Sequence, residues 1–335
     1  MGGNALKNCN TKRLDADDYF KLVDRVVRDI LNTLGEDRRV SPIAAYKNKK
    51  DFGDADILIE SGWLPSDWVN RLAHVWNSKE TFSNGDVVSF EVDEFQVDII
   101  KSKPEAFAFA QSYYAYNDLG NLLGRMAKKL GLKYGHDGLW YVFRDGDQVI
   151  ENILITLDPG AIYDLLELDK RVVLDSPSRI NDLEDIFTFV ASSPYFNPDI
   201  YLLENLNHIS RTRDRKRKTY TEFLKWCDTY KDAFGDVYKF NPTKETYLPF
   251  LFEFFARYNF KEKWSNALAK MLSARHTKTK FNGLIVHDVT NLTGKELGMF
   301  MTWFLNSTSK DYLLVMPDYQ IRQDIKDKFE EWKKL

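Results

Sequence analysis

Two short stretches carry carboxylates in a pattern that could do metal chemistry. The first runs Asp51-Phe52-Gly53-Asp54-Ala55-Asp56-Ile57-Leu58-Ile59-Glu60, and the second Phe95-Gln96-Val97-Asp98-Ile99-Ile100. Ala55, Ile57 and Ile59 alternate with Asp54 and Asp56. A strand here turns its apolar residues to one side and both carboxylates to the other. Val97 and Ile99 flank Asp98 in the same way. If the two strands are neighbours, three carboxylates converge on one face. Carboxylates held side by side repel unless something positive lies among them. A divalent cation meets that need, and Asp54, Asp56 and Asp98 are expected to hold two Mg²⁺ ions, with Mn²⁺ as the substitute. Two such ions about 3.5–4 Å apart clamp an in-line phosphoryl displacement. One would carry a triphosphate and the other would lower the pKa of an attacking hydroxyl, with Asp98 as its base. The plainer reading is a pair of surface charges on a strand edge. Gly53, where backbone can approach a ligand, and the third Asp in a matching strand weigh against it.

The elements that must position these residues are visible as periodicity. Tyr19, Leu22, Val23, Val26, Val27, Ile30, Leu31 and Leu34 recur at helical spacing across residues 15–34. Residues 64–76 and 117–130 read as further helices, the latter ended by Gly131. Val87–Val92 and Phe95–Ile100 read as strands around an Asp93-Glu94 turn, and Leu139–Phe143 and Val149–Thr156 as two more. Beyond Asp158-Pro159-Gly160 helical periodicity takes over, at 180–191, 218–231, 245–257, 261–273, 294–305 and 319–334. The expected organisation is therefore an α+β domain over residues 1–157 and a mostly helical domain over 158–335.

Gly-Asp-Ala-Asp-Ile-Leu-Ile followed by Phe-Gln-Val-Asp-Ile-Ile resembles the active-site strands of the nucleotidyltransferase superfamily, and of the polymerase-beta-like family X DNA polymerases in particular. The segment Tyr113 to Arg125, Tyr-Tyr-Ala-Tyr-Asn-Asp-Leu-Gly-Asn-Leu-Leu-Gly-Arg, resembles the part of those enzymes that holds the incoming nucleotide. The resemblance spans roughly residues 43–145 and lies in the order of several motifs. It implies a palm with a small mixed sheet and flanking helices, and metal ligation by Asp54, Asp56 and Asp98. It also implies that Asp118 packs against the base, Asn121 meets its minor-groove edge and Arg125 touches the template side. Tyr113 and Tyr114 align with an aromatic pair beneath the sugar, core packing being the equal alternative for them. The family carries a Gly-Ser pair shortly before the first Asp, and here Ile43-Ala44 stands in its place. Lys47, Lys49 and Lys50 follow, either as substitute positive charge or as a solvated turn; Lys47 and Lys50 are taken as nucleotide-binding candidates together with Gly53. A shorter stretch, Asn282 to Gly298, loosely resembles the helical C-terminal region of tRNA nucleotidyltransferases.

With 47 Lys and Arg against 50 Asp and Glu, the net charge of −3 gives the whole chain no general affinity for polyanions. Local clusters do: Arg211, Arg213, Arg215, Lys216, Arg217 and Lys218 are interrupted only by Thr212 and Asp214, and Lys270, Arg275, Lys278 and Lys280 form a second, weaker cluster, of which Arg275 and Lys278 are taken as contacts. These are candidate nucleic-acid contacts, the alternative being a solvated charge run. Two cysteines, Cys9 and Cys227, offer no disulfide framework or zinc spacing. That pattern suits a reducing, cytoplasmic setting. No apolar run of membrane-spanning length is present. The expected activity is transfer of a nucleoside monophosphate from an NTP or dNTP to the 3′-hydroxyl of a nucleic acid, RNA of the tRNA kind standing first. A family X-type DNA polymerase or terminal transferase, and an enzyme that modifies a protein or small molecule, are the rivals.

Overall fold

The computed structural model describes residues 5–146, 148–175, 178–309, 312–313 and 316–335. It is a mixed α/β protein. Its strands are β1 (Leu14–Asp15), β2 (Val40–Pro42), β3 (Asp51–Phe52), β4 (Asp54–Glu60), β5 (Thr81–Asn84), β6 (Val87–Val92), β7 (Phe95–Ser102), β8 (Leu132–Gly135), β9 (Gly138–Asp145) and β10 (Gln148–Thr156). No helix among the described residues is long and apolar enough to cross a membrane.

The central sheet has the order β2-β4-β7-β6-β5. It is mixed: β4 and β7 run parallel, while β2, β6 and β5 join antiparallel. The helices α1 (Ala16–Leu34) and α2 (Trp68–Val75) cover one face. Val26 and Ile30 of α1 and Leu72 of α2 pack there with Ile57, Ile59, Val97 and Ile99, all fully buried. These are the apolar residues that strand alternation assigns to one side. Trp76 closes the cluster edge-on against Phe90, with centroids 5.1 Å apart. The Asp93-Glu94 turn holds both residues at positive φ (52° and 63°), the conformation a two-residue hairpin between twisted strands requires. Glu91 secures it by accepting from the Glu94 backbone N–H at 2.6 Å. The opposite face is only partly covered. Helix α3 (Phe107–Tyr114) places Phe107 and Ala110 over Leu58 and Ile100, and the rest of that face stays open to the site.

The chain divides into two compact units, and not at residue 157. The larger holds the residues up to Val142 together with Leu154–Tyr258, and the smaller holds Phe143–Ile153 with Asn259–Leu335. The change of character near residue 158 marks the end of the strands, not the end of a packed body. Helix α4 (Leu119–Lys129) buries Leu122, Leu123, Met126 and Ala127, and such a face needs cover from later chain. The helices α5 (Ala161–Leu165), α6 (Arg171–Leu174), α7 (Leu183–Ala191), α8 (His208–Asp214), α9 (Lys218–Thr229) and α10 (Leu248–Phe254) belong to the same unit as α4. Tyr201, for example, donates its hydroxyl to the Leu122 carbonyl at 3.2 Å. The smaller unit begins its helical part with the helix Phe260–Lys280, and the helices Gly283–Thr290, Gly294–Asn306 and Asp318–Trp332 enclose a core of their own, in which Phe281 and Phe304 stack at 4.6 Å.

Ile57 is fully buried at the centre of the sheet beneath α1. Ile57→Ala is expected to cost about 2–5 kcal/mol in urea unfolding, through lost transfer energy and an unfilled cavity.

Candidate active site

The parallel register of β4 and β7 sets Asp56 directly beside Asp98, and Asp54 beside Gln96. Asp54, Asp56 and Asp98 therefore share the open side of the sheet and line one cavity of about 450 Å³. Gln96 lies on the same side of β7 as Asp98 and donates Nε2 to both its carboxylate oxygens at 2.9 and 3.0 Å. It is itself oriented by the Ala5 backbone N–H, 2.9 Å from its Oε1. Gly53 is buried between β3 and β4 and does not line the cavity.

Burial, reinforced by the facing charges of Asp54 and Asp98, pushes the Asp56 carboxyl up to about 8. Burial also raises Asp98, with Asp54 adding to the effect and hydrogen bonds from Ser89 and Gln96 opposing it. This is an acidic cluster whose own repulsion invites a cation. Among the described residues no group of three or more His, Cys, Asp or Glu side chains forms a ready-made metal cage. Mg²⁺ does not require one. It keeps waters, and takes one or two carboxylates together with substrate phosphates. The donor set suits such an ion: hard carboxylate oxygens, whose mutual repulsion and burial disfavour the ionised form of Asp56 until a cation joins them. Asp54, Asp56 and Asp98 would hold it.

The residues expected on the nucleotide side come to the same cavity in part. Tyr113, Tyr114, Asp118 and Asn121 line it. Tyr116 and Asn117 both take left-handed backbone (φ 57° and 59°), which breaks the chain sharply between α3 and α4. The Tyr116 N–H donates to the Ala44 carbonyl at 2.8 Å and ties that break to the segment where the Gly-Ser pair would stand. Gly120 permits the close approach of the two helices: a Cβ there would lie 2.3 Å from the Tyr113 carbonyl oxygen. Arg125 does not reach the cavity. It is buried and paired with the fully buried Asp214, so its expected place against a template is taken by a structural ion pair.

Three members of the basic run, Arg211, Arg213 and Arg217, are engaged by groups of the chain itself. Arg211 donates to the carbonyls of Leu203, Glu204 and Leu206 at 2.9–3.1 Å. Arg213 donates to Asn121 Oδ1 and to Asp214 Oδ1, each at 2.7 Å. Arg217 pairs with Asp118 and lines the cavity. Arg215, Lys216 and Lys218 remain exposed. Arg275 pairs with Asp145, and it and the exposed Lys278 belong to the smaller unit. The fully buried Asp214 is met by two guanidinium groups, Arg213 from this run and Arg125 from α4.

Lys47 and Lys50 are exposed and lie outside the cavity wall; Lys49 is the lysine that lines it. Its ammonium sits 4.6 Å from the Phe52 ring centroid. Burial lowers its pKa while Asp54 and Asp56 raise it. His136, stacked on Tyr114 at 5.5 Å, and Asn117 also line the cavity, and neither carried a signal in the sequence. No protein-family model matches the chain, and no curated protein matches it.

Two expectations follow from these charges. The Asp56 proton is held more tightly in the folded than the unfolded chain, so without metal, stability should fall as pH rises from about 4 to about 8. Asp56→Asn should flatten that slope in EDTA and raise stability near pH 7.5 by about 1–3 kcal/mol, a rise of a few degrees in Tm. Separately, Arg125→Met should destabilise by about 1–3 kcal/mol, because Asp214 loses one of its two guanidinium partners and keeps Arg213, and Arg125→Met with Asp214→Leu should recover most of the loss in urea unfolding.

Proposed function

We propose that this chain is a metal-dependent nucleotidyltransferase with a polymerase-beta-like palm. It would move a nucleoside monophosphate from an NTP or dNTP to the 3′-hydroxyl of a nucleic acid, RNA of the tRNA kind standing first. The observation that carries the reading is the β4–β7 register, which lines three carboxylates along one cavity of about 450 Å³ together with Tyr113, Asp118 and Asn121. In the reaction the acceptor hydroxyl oxygen bonds to the α-phosphorus, the bond to the bridging oxygen breaks, and pyrophosphate leaves. Mg²⁺ or Mn²⁺, when bound, supplies charge neutralisation to the triphosphate and acidifies the hydroxyl. Asp98 accepts the hydroxyl proton; burial raises its basicity, and Gln96 fixes its orientation. Tyr113 flanks the sugar, and Asp118 and Asn121 offer polar edges to the base.

The engagement of Arg211, Arg213 and Arg217 by the chain itself favours a second reading, in which the acceptor is a protein or small molecule and no phosphate track is required. One assay separates the two. The protein is incubated with Mg²⁺, labelled NTPs or dNTPs, and tRNA, primed DNA or a protein mixture. The leading reading expects label on nucleic acid, lowered at least about a thousandfold by Asp98→Ala, as loss of a general base and metal ligand requires. Label on protein alone supports the second reading, and no transfer to any acceptor contradicts both.

A further inference from the structure

We propose that Lys49 and Arg217 together grip the phosphate tail of the substrate in the carboxylate cavity. The inference rests on the nucleotidyltransferase reading for the identity of that substrate, but the grip itself fits any linear polyphosphate brought in with a divalent cation. A triphosphate needs donors beyond the metal. The segment Ile43-Ala44-Ala45 lines the cavity where such donors are wanted, and its side chains have none. Nor is the Ile43 N–H available, because it donates to the Asp56 carbonyl at 2.9 Å.

Apart from His136, the cationic groups lining the cavity are Lys49 and Arg217. They arrive from distant parts of the chain, Lys49 just before β3 and Arg217 at the start of α9, and face a wall that is otherwise acidic. Lys49 is seated over Phe52, which restricts its ammonium. Asp54 and Asp56 are its present counter-charges. A divalent ion would take over those carboxylates and leave the ammonium to a phosphate oxygen. Arg217 is 41% exposed and hydrogen-bonds, among the described residues, to Asp118. That contact uses Nη1, and a guanidinium carries five N–H donors, so the remaining ones suit a phosphate oxyanion. Arg217 thereby joins the base-side residue Asp118 to the phosphate side of the same cavity.

The probe is inorganic tripolyphosphate, titrated calorimetrically into the full chain in Mg²⁺ buffer. It has no base, so it reads the grip alone. Lys49→Met and Arg217→Ala should each weaken binding about tenfold or more, the worth of one charge-assisted hydrogen bond. Asp118→Asn should bind as tightly as the parent or tighter, since it releases Arg217. Equal losses in Arg217→Ala and Asp118→Asn would show that the pair is only structural and would overturn the proposal. So would unchanged binding in Lys49→Met and Arg217→Ala, or a parent chain that does not bind the probe. Thermal melts of each variant confirm folding. Tripolyphosphate binding with these losses but no nucleotide transfer would leave the grip standing and remove the proposed reaction. Transfer with unchanged binding in the variants would do the reverse.

Discussion

The parallel pairing of β4 with β7 is the constraint on which the site depends. Parallel neighbours hold equivalent residues level, so Asp56 meets Asp98 and Ala55, Ile57 and Ile59 meet Val97, Ile99 and Lys101 in step. A shift of one residue would send the carboxylates into the core beneath α1 and the isoleucines into the cavity. The fully buried Ile57, Ile59, Val97 and Ile99 therefore fix the placement of Asp54, Asp56 and Asp98 as firmly as any contact the carboxylates make themselves. The core specifies the chemistry by specifying the register.

That placement has an electrostatic cost, and the surrounding chain answers it in two ways. Lys49 stands beside Asp54 and Asp56, partly removed from water. Asp118 on the cavity wall is met by Arg217, and the fully buried Asp214, outside that wall, by Arg213 and Arg125. Of the six basic residues that look in the sequence like an outward-facing track, Arg213 and Arg217 balance buried acids, Arg211 holds backbone carbonyls, and Arg215, Lys216 and Lys218 stay exposed. The result is a cavity with an acidic sheet wall and cationic groups at Lys49 and Arg217.

Much of this was legible beforehand, for reasons specific to each element. The strands β4, β6 and β7 were legible because strict alternation leaves one register that buries the apolar set, and the Asp93-Glu94 turn because it separates two such runs. Helix α1 followed from its apolar stripe. Other features were not legible. Lys49, rather than Lys47 or Lys50, faces the cavity because of how the turn before β3 sits on Phe52, which no local pattern encodes. Arg125 has the right spacing from Asp118, yet the buried Asp214 claims it from 89 residues away. Arg217 stands out in the sequence only as part of the basic run, and its place in the cavity, like that of His136, comes from tertiary packing. The boundary expected at residue 157 failed because secondary-structure content changes there while burial of α4 continues into the helices that follow.

The central claim is that the carboxylate wall holds a divalent ion together with a nucleotide. A crystal of the chain grown with Mn²⁺ and a non-hydrolysable nucleoside triphosphate, measured at the manganese absorption edge, tests it most directly. The account predicts anomalous density among Asp54, Asp56 and Asp98, with phosphate oxygens completing the coordination and the base toward Asp118 and Asn121. Ordered nucleotide elsewhere, or no manganese among those three carboxylates, would contradict it.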